Sequence, residues 1–419
     1  RNTTELMAQL WTTQLIRNIP ALVQQGRSLL HLKDALRGRA AVVVGAGPSL
    51  DETIPLLREV AGHVTIIVAF KALRALVAGG VSPDFVVCLD PKQKVRHLEG
   101  VDLSQVGCFV IEAACEDEML SVAASAPLVP FVASDLTAEL VRELKMIEVP
   151  LVGTAGSAVH AAIQLGLILG CEHIYLAGTD FGFPHDRLYA TGAGTGDRFV
   201  VSADGKSYSR QPLDSHFRAG GLLHVEANDG SVIGASLEMI KFREWVERVI
   251  AQQADTSSPV HFYNLARQGA VIAGAKAVES ICIDLDTLSL KPSITSMLEA
   301  TRAVSKVKFN DLPTKLRRRM DRIRALRDSC NSVLDRSRKG QDFSRDLERI
   351  QSESKKVIEV STIMNEKLMT LDEYTDRVEN RSRAESDQLL LGLIRHTRQA
   401  ADDLLEVYSD VIRRLVAKV

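Results

Sequence analysis

The chain has 419 residues, with 51 Lys and Arg against 53 Asp and Glu and a formal net charge of −2. Apolar residues make up 46% and aromatics 5%, which sets global disorder aside and suits a globular protein of two or three domains. The near-neutral balance argues against a chain-wide binder of nucleic acid or membrane surfaces.

Six cysteines stand at positions 88, 108, 115, 171, 282 and 330, none in a Cys-x-x-Cys pair. This excludes a zinc knuckle and a thioredoxin-type motif. Apolar surroundings read as packed, reduced thiols, which fits a cytoplasmic location. No apolar run reaches the roughly 18 residues of a membrane-spanning helix, and the longest candidate, 159–169, is interrupted by His160 and Gln164.

Residues 1–38 read as a helical arm packed on something larger. Leu6, Leu10, Leu15, Ile16 and Ile19 recur at helical intervals, and Pro20 is expected to start a second segment. The chain begins with Arg, so a preceding segment is left open.

Residues 39–285 form the expected α/β domain. The run AAVVVGAG from Ala40 is β-branched and ends in glycines, as in a strand buried on both faces. VTIIVAF (64–70), DFVVCLD (84–90), CFVIEA (108–113) and HIYLAGTD (173–180) repeat the theme, and helical stretches alternate with them. This pattern implies βαβ units and a Rossmann-like, mainly parallel sheet with its ligand site at the carboxyl ends of the strands. Residues 182–234 are glycine-rich and read as an irregular covering insertion with short strands. Val232–Gln253 reads as a helix, and 261–278 as a closing strand and turn.

Residues 293–419 are expected to be an all-α bundle of three or four long helices, with turns near 337–346 and 381–387. The basic run at 315–324 reads as a solvated helix face or as a contact for an acidic partner.

Four places carry candidate chemistry. Gly45-Ala46-Gly47-Pro48-Ser49 follows the first strand, where glycines let backbone amides approach an anion and a helix N-terminus favours phosphate. The third glycine of a dinucleotide fingerprint is absent (position 50 is Leu), and Lys71 stands where an acidic residue would close strand two. Nor is this a Walker loop, since Gly-Lys-Ser/Thr does not follow its glycines. Asp90 lies at a strand end as a ribose-hydroxyl acceptor, a metal ligand or a turn residue. Gly153-Thr154-Ala155-Gly156-Ser157 is a second small-residue loop before an apolar helix, or simply a helix cap. Gly178-Thr179-Asp180-Phe181 ends the fifth recognised strand, and Asp180 is placed to face the same crevice as Asp90.

The motifs VVVGAGPSLD, GVSPDFVVCLDP and VGTAGSAVHAAIQLGLILGCEHIYLAGTDFGFPHDRLYATG, in this order over residues 40–280, resemble the central domain of the motility-accessory factor (Maf) family of flagellin glycosyltransferases. They are similar, more distantly, to bacterial sialyltransferases that use CMP-sialic acid. The resemblance implies a sialyltransferase-like fold and a CMP-activated nonulosonic acid (pseudaminic, legionaminic or sialic type) as donor. It implies Ser or Thr of flagellin as acceptor, modified in the cytoplasm for flagellum formation and motility. It implies no tightly bound cofactor and no metal.

Carried onto this chain, Gly45, Gly47, Pro48 and Ser49 would line the donor phosphate and ribose, and Asp90 stands where the sialyltransferases have a donor-binding asparagine. Thr154, Ala155, Gly156 and Ser157 would hold cytosine and ribose. Gly178, Asp180 and Phe181 would border the reaction centre. Position 182 is Gly where the relatives have a tyrosine. Their catalytic histidine falls by count on Asn228, with His224 four residues earlier. His224, Asp180, Glu226 and Asp229 are therefore the candidate bases, and His185, Arg187 and Tyr189 the candidate leaving-phosphate contacts. Two other readings stay open: a pterin pyrophosphokinase-like enzyme using ATP and magnesium through Asp90 and Asp180, and a non-catalytic flagellin-binding protein. The bundle either recognises the acceptor or only packs and assembles.

Overall fold

The computed structural model describes residues 3–25, 27–90, 95–123, 126–145, 148–193, 198–211, 220–281, 290–300, 309–354, 357, 359–360 and 383–417. The β-branched runs become β1 (Ala40–Val44), β2 (Thr65–Ala69), β3 (Phe85–Cys88), β4 (Cys108–Glu112), β5 (Leu128–Phe131) and β6 (His173–Ala177). The insertion holds β7 (Arg198–Val201), β8 (Ser207–Gln211), β9 (Gly220–Gly221), β10 (Leu223–Glu226) and β11 (Val232–Ala235); β12 (His261–Asn264) and β13 (Lys276–Ala277) follow. Eight of these strands form one sheet in the order β13-β12-β6-β1-β2-β3-β4-β5, every pair parallel. All residues of β1, β2 and β4 are buried, the reason their sequences are apolar throughout rather than alternating.

Helices α2 (Leu50–Val60), α3 (Leu73–Ala78), α4 (Asp117–Ala123), α5 (Asp135–Leu144) and α6 (Ala158–Ile168) join successive strands, and α7 (Leu237–Ala254) precedes β12. The chain moves outward from β1 to β5, then returns through α6, which packs across β1, β2 and β3, to lay β6 on the other side of β1. The strand order reverses between β1 and β6, which opens a crevice at their carboxyl ends. One apolar core lies on each face of the sheet; the face carrying α6 and α7 includes Val43, Ile67, Ile163, Leu165 and Val246.

Three expectations are corrected. LVPF at 128–131 is a strand that the pattern did not flag, because it is short and contains Pro130; β5 is the edge of the sheet, where a missing N–H is tolerated. Residues 232–235 are strand, and α7 begins only at Leu237, capped by the Ser236 hydroxyl accepting from the Met239 amide. Pro20 lies inside the continuous helix α1 (Thr3–Gln25).

That helix is no free arm. Leu15, Ile16, Ile19 and Leu22 are buried, and the Asn18 carboxamide donates to the carbonyls of Ala113 (2.9 Å) and Cys115 (2.8 Å) beyond β4. Further on, the amides of Asp34 and Leu36 donate to the carbonyls of Ile168 and Leu169, fastening the chain under the end of α6. α8 (Ile294–Ala300), α9 (Leu312–Arg338), α10 (Ser344–Ser354) and α11 (Arg383–Val416) make up the described C-terminal helices. α9 packs along α11, and α1 lies against α11, α4 and α5. Leu316, Met320, Ile323, Leu404 and Tyr408 thus share one core with α1 and the sheet. The turn near 337–346 is borne out between α9 and α10; of 381–387, residues 381 and 382 lie outside the described residues. The five cysteines described, 88, 108, 115, 171 and 330, are unpaired and buried; Cys282 lies outside the described residues.

A charged triad holds the bundle. The Arg319 guanidinium pairs with both oxygens of Glu359 at 2.9 Å, and the Tyr408 hydroxyl donates to Oε1 at 2.5 Å, with Glu359 1% and Tyr408 0% exposed. A buried carboxylate is tolerated only while its partners stay. Arg319→Leu is therefore expected to destabilise by about 3–5 kcal/mol in denaturant unfolding, whereas the double change with Glu359→Leu recovers most of the loss.

Candidate functional site

The crevice at the β1/β6 boundary is built from two strand ends in contact. After β1, the amide of Gly45 donates to Ala177 and that of Gly47 to Gly178, both at 2.8 Å. A β-carbon on Gly45 would lie 2.4 Å from the Gly178 carbonyl oxygen, and one on Gly178 2.3 Å from that of Gly45. Gly178 also has φ +62°, so this crossing admits no larger residue. A β-carbon on Gly47 would lie 2.0 Å from an Asp180 oxygen. That oxygen, Oδ2, accepts from the Ser49 hydroxyl (3.0 Å) and the Ser49 amide (3.3 Å).

The amides of Gly45, Gly47 and Ser49 are spent inside the protein, and those of Leu50 and Asp51 bond back to Gly47 and Pro48. Pro48 has no N–H. The loop is a packed joint between two strands that its glycines make possible, and among the described residues the Ala46 amide has no partner in the chain.

Asp180 is 2% exposed. Burial pushes its carboxyl up to about 6, against the pull of the Ser49 hydrogen bonds. Its Oδ1, like the neighbouring Thr179 hydroxyl, is buried without a hydrogen-bond partner. Buried polar oxygens are nearly always satisfied, so these two are polar atoms in excess of what the chain itself bonds at the switch of strand order. Phe181 follows with φ +46° and packs beside Ala227, Ile233 and Ala270.

The segment after Phe181 folds back over the joint. His185 and Asp186 also have positive φ, a concentration of strained backbone typical of sites held by their surroundings. The Arg187 guanidinium bonds Asp51 at 2.8 Å, the Thr191 amide bonds the same carboxylate at 2.8 Å, and the Ala190 amide reaches the Ala46 carbonyl at 2.9 Å. Burial alone would raise the Asp51 carboxyl, but these partners hold it below its ordinary value. Arg187 is thus a strut between the insertion and α2. His185 lies 2.5 Å from the Gln268 oxygen, and Tyr189 accepts from the Lys71 ammonium at 3.3 Å.

Lys71 is the residue that sequence reasoning passed over. It was seen only as the loss of an acidic side chain, yet it sets an exposed cation at the carboxyl end of β2, beside β1, within range of Tyr189 and Glu238. Asp90 is exposed at the same edge, just past β3.

The Gly153–Ser157 loop has the opposite character to the first loop. Ser157 caps α6 by accepting from the Val159 amide, and Ala155 donates to the His160 ring. Among the described residues, the amides of Gly153, Thr154, Gly156 and Ser157 bond to nothing in the chain. Gly153 and Gly156 face open space, and Gly156 has φ +92°. α6 leads through residues 169–172 into β6, so its N-terminus and this loop lie at the carboxyl edge, where the helix dipole favours negative charge.

The remaining candidates sit on the β10–β11 hairpin. His224 is exposed, in register with Gly234, whose carbonyl accepts from the Phe183 amide on the far side. His224 is thus one strand beyond Phe183, and the structure does not bring it against Asp180. Asn228 is tied by its carboxamide to the carbonyls of Ala266 and Gly269. Asp229 accepts from the amide and hydroxyl of Ser231 in the hairpin turn, and these bonds hold its carboxyl below its ordinary value. That makes it a turn residue and a weak base. Among the described residues no group of three His, Cys, Asp or Glu side chains could hold a metal ion, and no helix is long and apolar enough to cross a membrane.

Comparison with known proteins follows this geometry. Residues 13–186 match the model of the family described as 6-hydroxymethylpterin diphosphokinase MptE-like. A Maf glycosyltransferase from Magnetospirillum magneticum AMB-1 superposes with a TM-score of 0.54 at 16% identity, over 95% of this chain and 63% of that one. The chain shares that fold. It spans less than two thirds of the Magnetospirillum protein's length. The sialyltransferase CstII from Campylobacter jejuni, solved with cytidine-5'-monophosphate, aligns at 14% identity over 63% of this chain and 99% of its own, with a TM-score of 0.27. No curated protein sequence matches the chain.

Two outcomes test the site. Gly47→Ala forces a β-carbon into the Asp180 carboxylate and is expected to destabilise by about 2–3 kcal/mol in denaturant unfolding. Folded Asp180 holds its proton more tightly than in the unfolded chain, so stability falls as pH rises from about 4 to about 6 and is level above. Asp180→Asn keeps an acceptor for Ser49 and removes this cost. It is expected to be more stable than the parent at pH 7, by as much as about 3 kcal/mol, with the advantage gone below pH 4.

Proposed function

We propose that the chain is a glycosyltransferase that moves a nonulosonic acid from a CMP-activated donor to Ser or Thr of flagellin. The observation that carries the reading is the unpartnered, buried Asp180 oxygen at the switch of strand order. Support comes from the Gly153–Ser157 loop with its unbonded amides at the same edge, and from the fold held in common with a Maf glycosyltransferase.

In this reading Asp180 and Thr179 accept and orient hydroxyls of the donor, and the 153–157 amides with the α6 N-terminus receive its nucleotide. Lys71 offsets charge that grows on the leaving phosphate. The acceptor hydroxyl attacks the anomeric carbon as the bond to the CMP phosphate oxygen breaks, through a transition state with oxocarbenium character. Asp180 is engaged by Ser49 and, in this reading, by the donor, so it is not the base. His224, exposed on its hairpin, takes that proton, an imidazole being suited to the role at physiological pH. Exposed Leu223, Val232 and Leu237 near it offer apolar surface to the acceptor. The α9–α11 helices give the acceptor a further docking surface. Soluble CMP-sugars and flagellin before export place the reaction in the cytoplasm.

The match over residues 13–186 favours a second reading, diphosphoryl transfer from ATP to a pterin. Thermal unfolding with CMP, UDP and ATP–Mg²⁺ separates the two. CMP at 100 times its Kd is expected to stabilise by about 2.7 kcal/mol, and Lys71→Ala to weaken that effect. A rise in Tm with ATP–Mg²⁺ alone would transfer the conclusion to the kinase. His224→Ala is then expected to lower kcat on flagellin at least about 100-fold while leaving CMP affinity unchanged; equal turnover removes His224 as base.

A further inference from the structure

The Gly153–Ser157 loop is fixed at its end by the Ser157 cap of α6 and in its middle by the ring of His160, in the first turn of that helix. The ring is fully buried. Its Nδ1 lies 3.2 Å from the Ala155 amide nitrogen, which donates to it. The proton of the neutral ring therefore sits on Nε2, which donates to the Phe242 carbonyl at 3.0 Å. The ring stacks on Trp245 at 4.1 Å and meets Phe242 edge-on at 5.3 Å. Burial pushes the imidazole down to about 4, the Phe242 carbonyl opposing and the Arg248 charge adding to the effect. Nδ1 is thus an acceptor throughout the physiological range.

An imidazole is a costly choice for this position. The helix around it is apolar, and a leucine would fill the space without two buried nitrogens to satisfy. What histidine adds is a link running from α7 through the ring to Ala155. We propose that His160 is a positioning residue for nucleotide binding: it anchors Ala155, and so holds the neighbouring amides of the loop ready for the donor. The inference rests on the nucleotide reading given above. Without the anchor, a loop in which β-carbons at Gly153 and Gly156 would meet nothing within 4 Å would sample many conformations, and a ligand would have to order it. The effect falls on affinity rather than on the chemical step.

The test is a calorimetric titration of the full chain with CMP, run beside amide hydrogen exchange at Ala155. His160→Phe keeps a flat ring on Trp245 and loses both hydrogen bonds. His160→Asn returns an acceptor close to the place of Nδ1. The expected result is a CMP Kd raised about tenfold or more in H160F, within about threefold of the parent in H160N, and fast exchange at Ala155 in H160F only. In turnover, KM for the donor rises while kcat holds. A parent protein that binds CMP with H160F equally tight overturns the role of His160 alone. A parent protein that does not bind CMP overturns the nucleotide reading, and the role with it. Should H160F fail to fold, Ala155→Pro removes the same N–H at an exposed position and carries the same tenfold expectation.

Discussion

Two parallel strands that lie side by side at the centre of the sheet end in backbone so close that no β-carbon fits between them. Gly45 and Gly178 face each other across this contact, and Gly47 lies against Asp180. The architecture around the site follows from that. The contact forces the chain after β1 to turn sharply into α2, brings Ser49 onto Asp180, and buries a carboxylate that water would otherwise solvate. The insertion after β6 can then lie over the joint, braced by Arg187 on Asp51. Raising the proton affinity of Asp180 is a cost of this design, and an oxygen left without a partner is the trace it leaves.

The two small-residue loops look alike in sequence and do opposite things. Both have glycines spaced around a small residue before a helix, and the sequence assigned both to the donor. In the first, the amides of Gly45 and Gly47 are taken up by the adjacent strand end; in the second, those of Gly153, Thr154, Gly156 and Ser157 stay unbonded and that of Ala155 goes to His160. The difference arises from sheet position. The first loop follows a central strand with a neighbour on each side, so its backbone finds partners at once. The second leaves the sheet beyond the edge strand β5, joined to it by the bridge from Leu151 to Val132, and β-carbons at its glycines would meet open space.

This is also where sequence reading reached its limit. Continuous apolar runs marked β1 to β4 and β6 because burial on both faces leaves no polar alternation to confuse the pattern. Pro130 hid β5, since only the edge position excuses it. The carboxylate at 180 was legible as a strand-end residue, but its burial and its contact with Ser49 depend on β6 pairing with β1 across more than a hundred residues. His224 rests on a count along the family resemblance and Asp229 on its carboxylate; the hairpin register sets His224 one strand beyond Phe183, and Asp229 is taken up by Ser231 in the turn. Lys71 was legible only as the absence of an acidic residue, because its place beside Tyr189 depends on the insertion after β6. Glu112 ends β4, where burial raises its carboxyl to about 7 and the Ala114 and Ala133 amides hold it.

The helices outside the sheet bear on the site through rigidity rather than contact. α1 is anchored to the turn after β4 by Asn18 and packs on α11, so the bundle and the outer strands share one core. α7 does the equivalent on the opposite face, reaching the open loop through His160. Each strand end that carries candidate chemistry is thereby backed by a helix from elsewhere in the chain. A sheet edge with unsatisfied oxygens and unbonded amides would otherwise relax to bond with itself. Holding those groups apart is what lets the crevice keep its polar atoms available, and the hydrogen bonds of Asn18, Arg187 and His160 are the means.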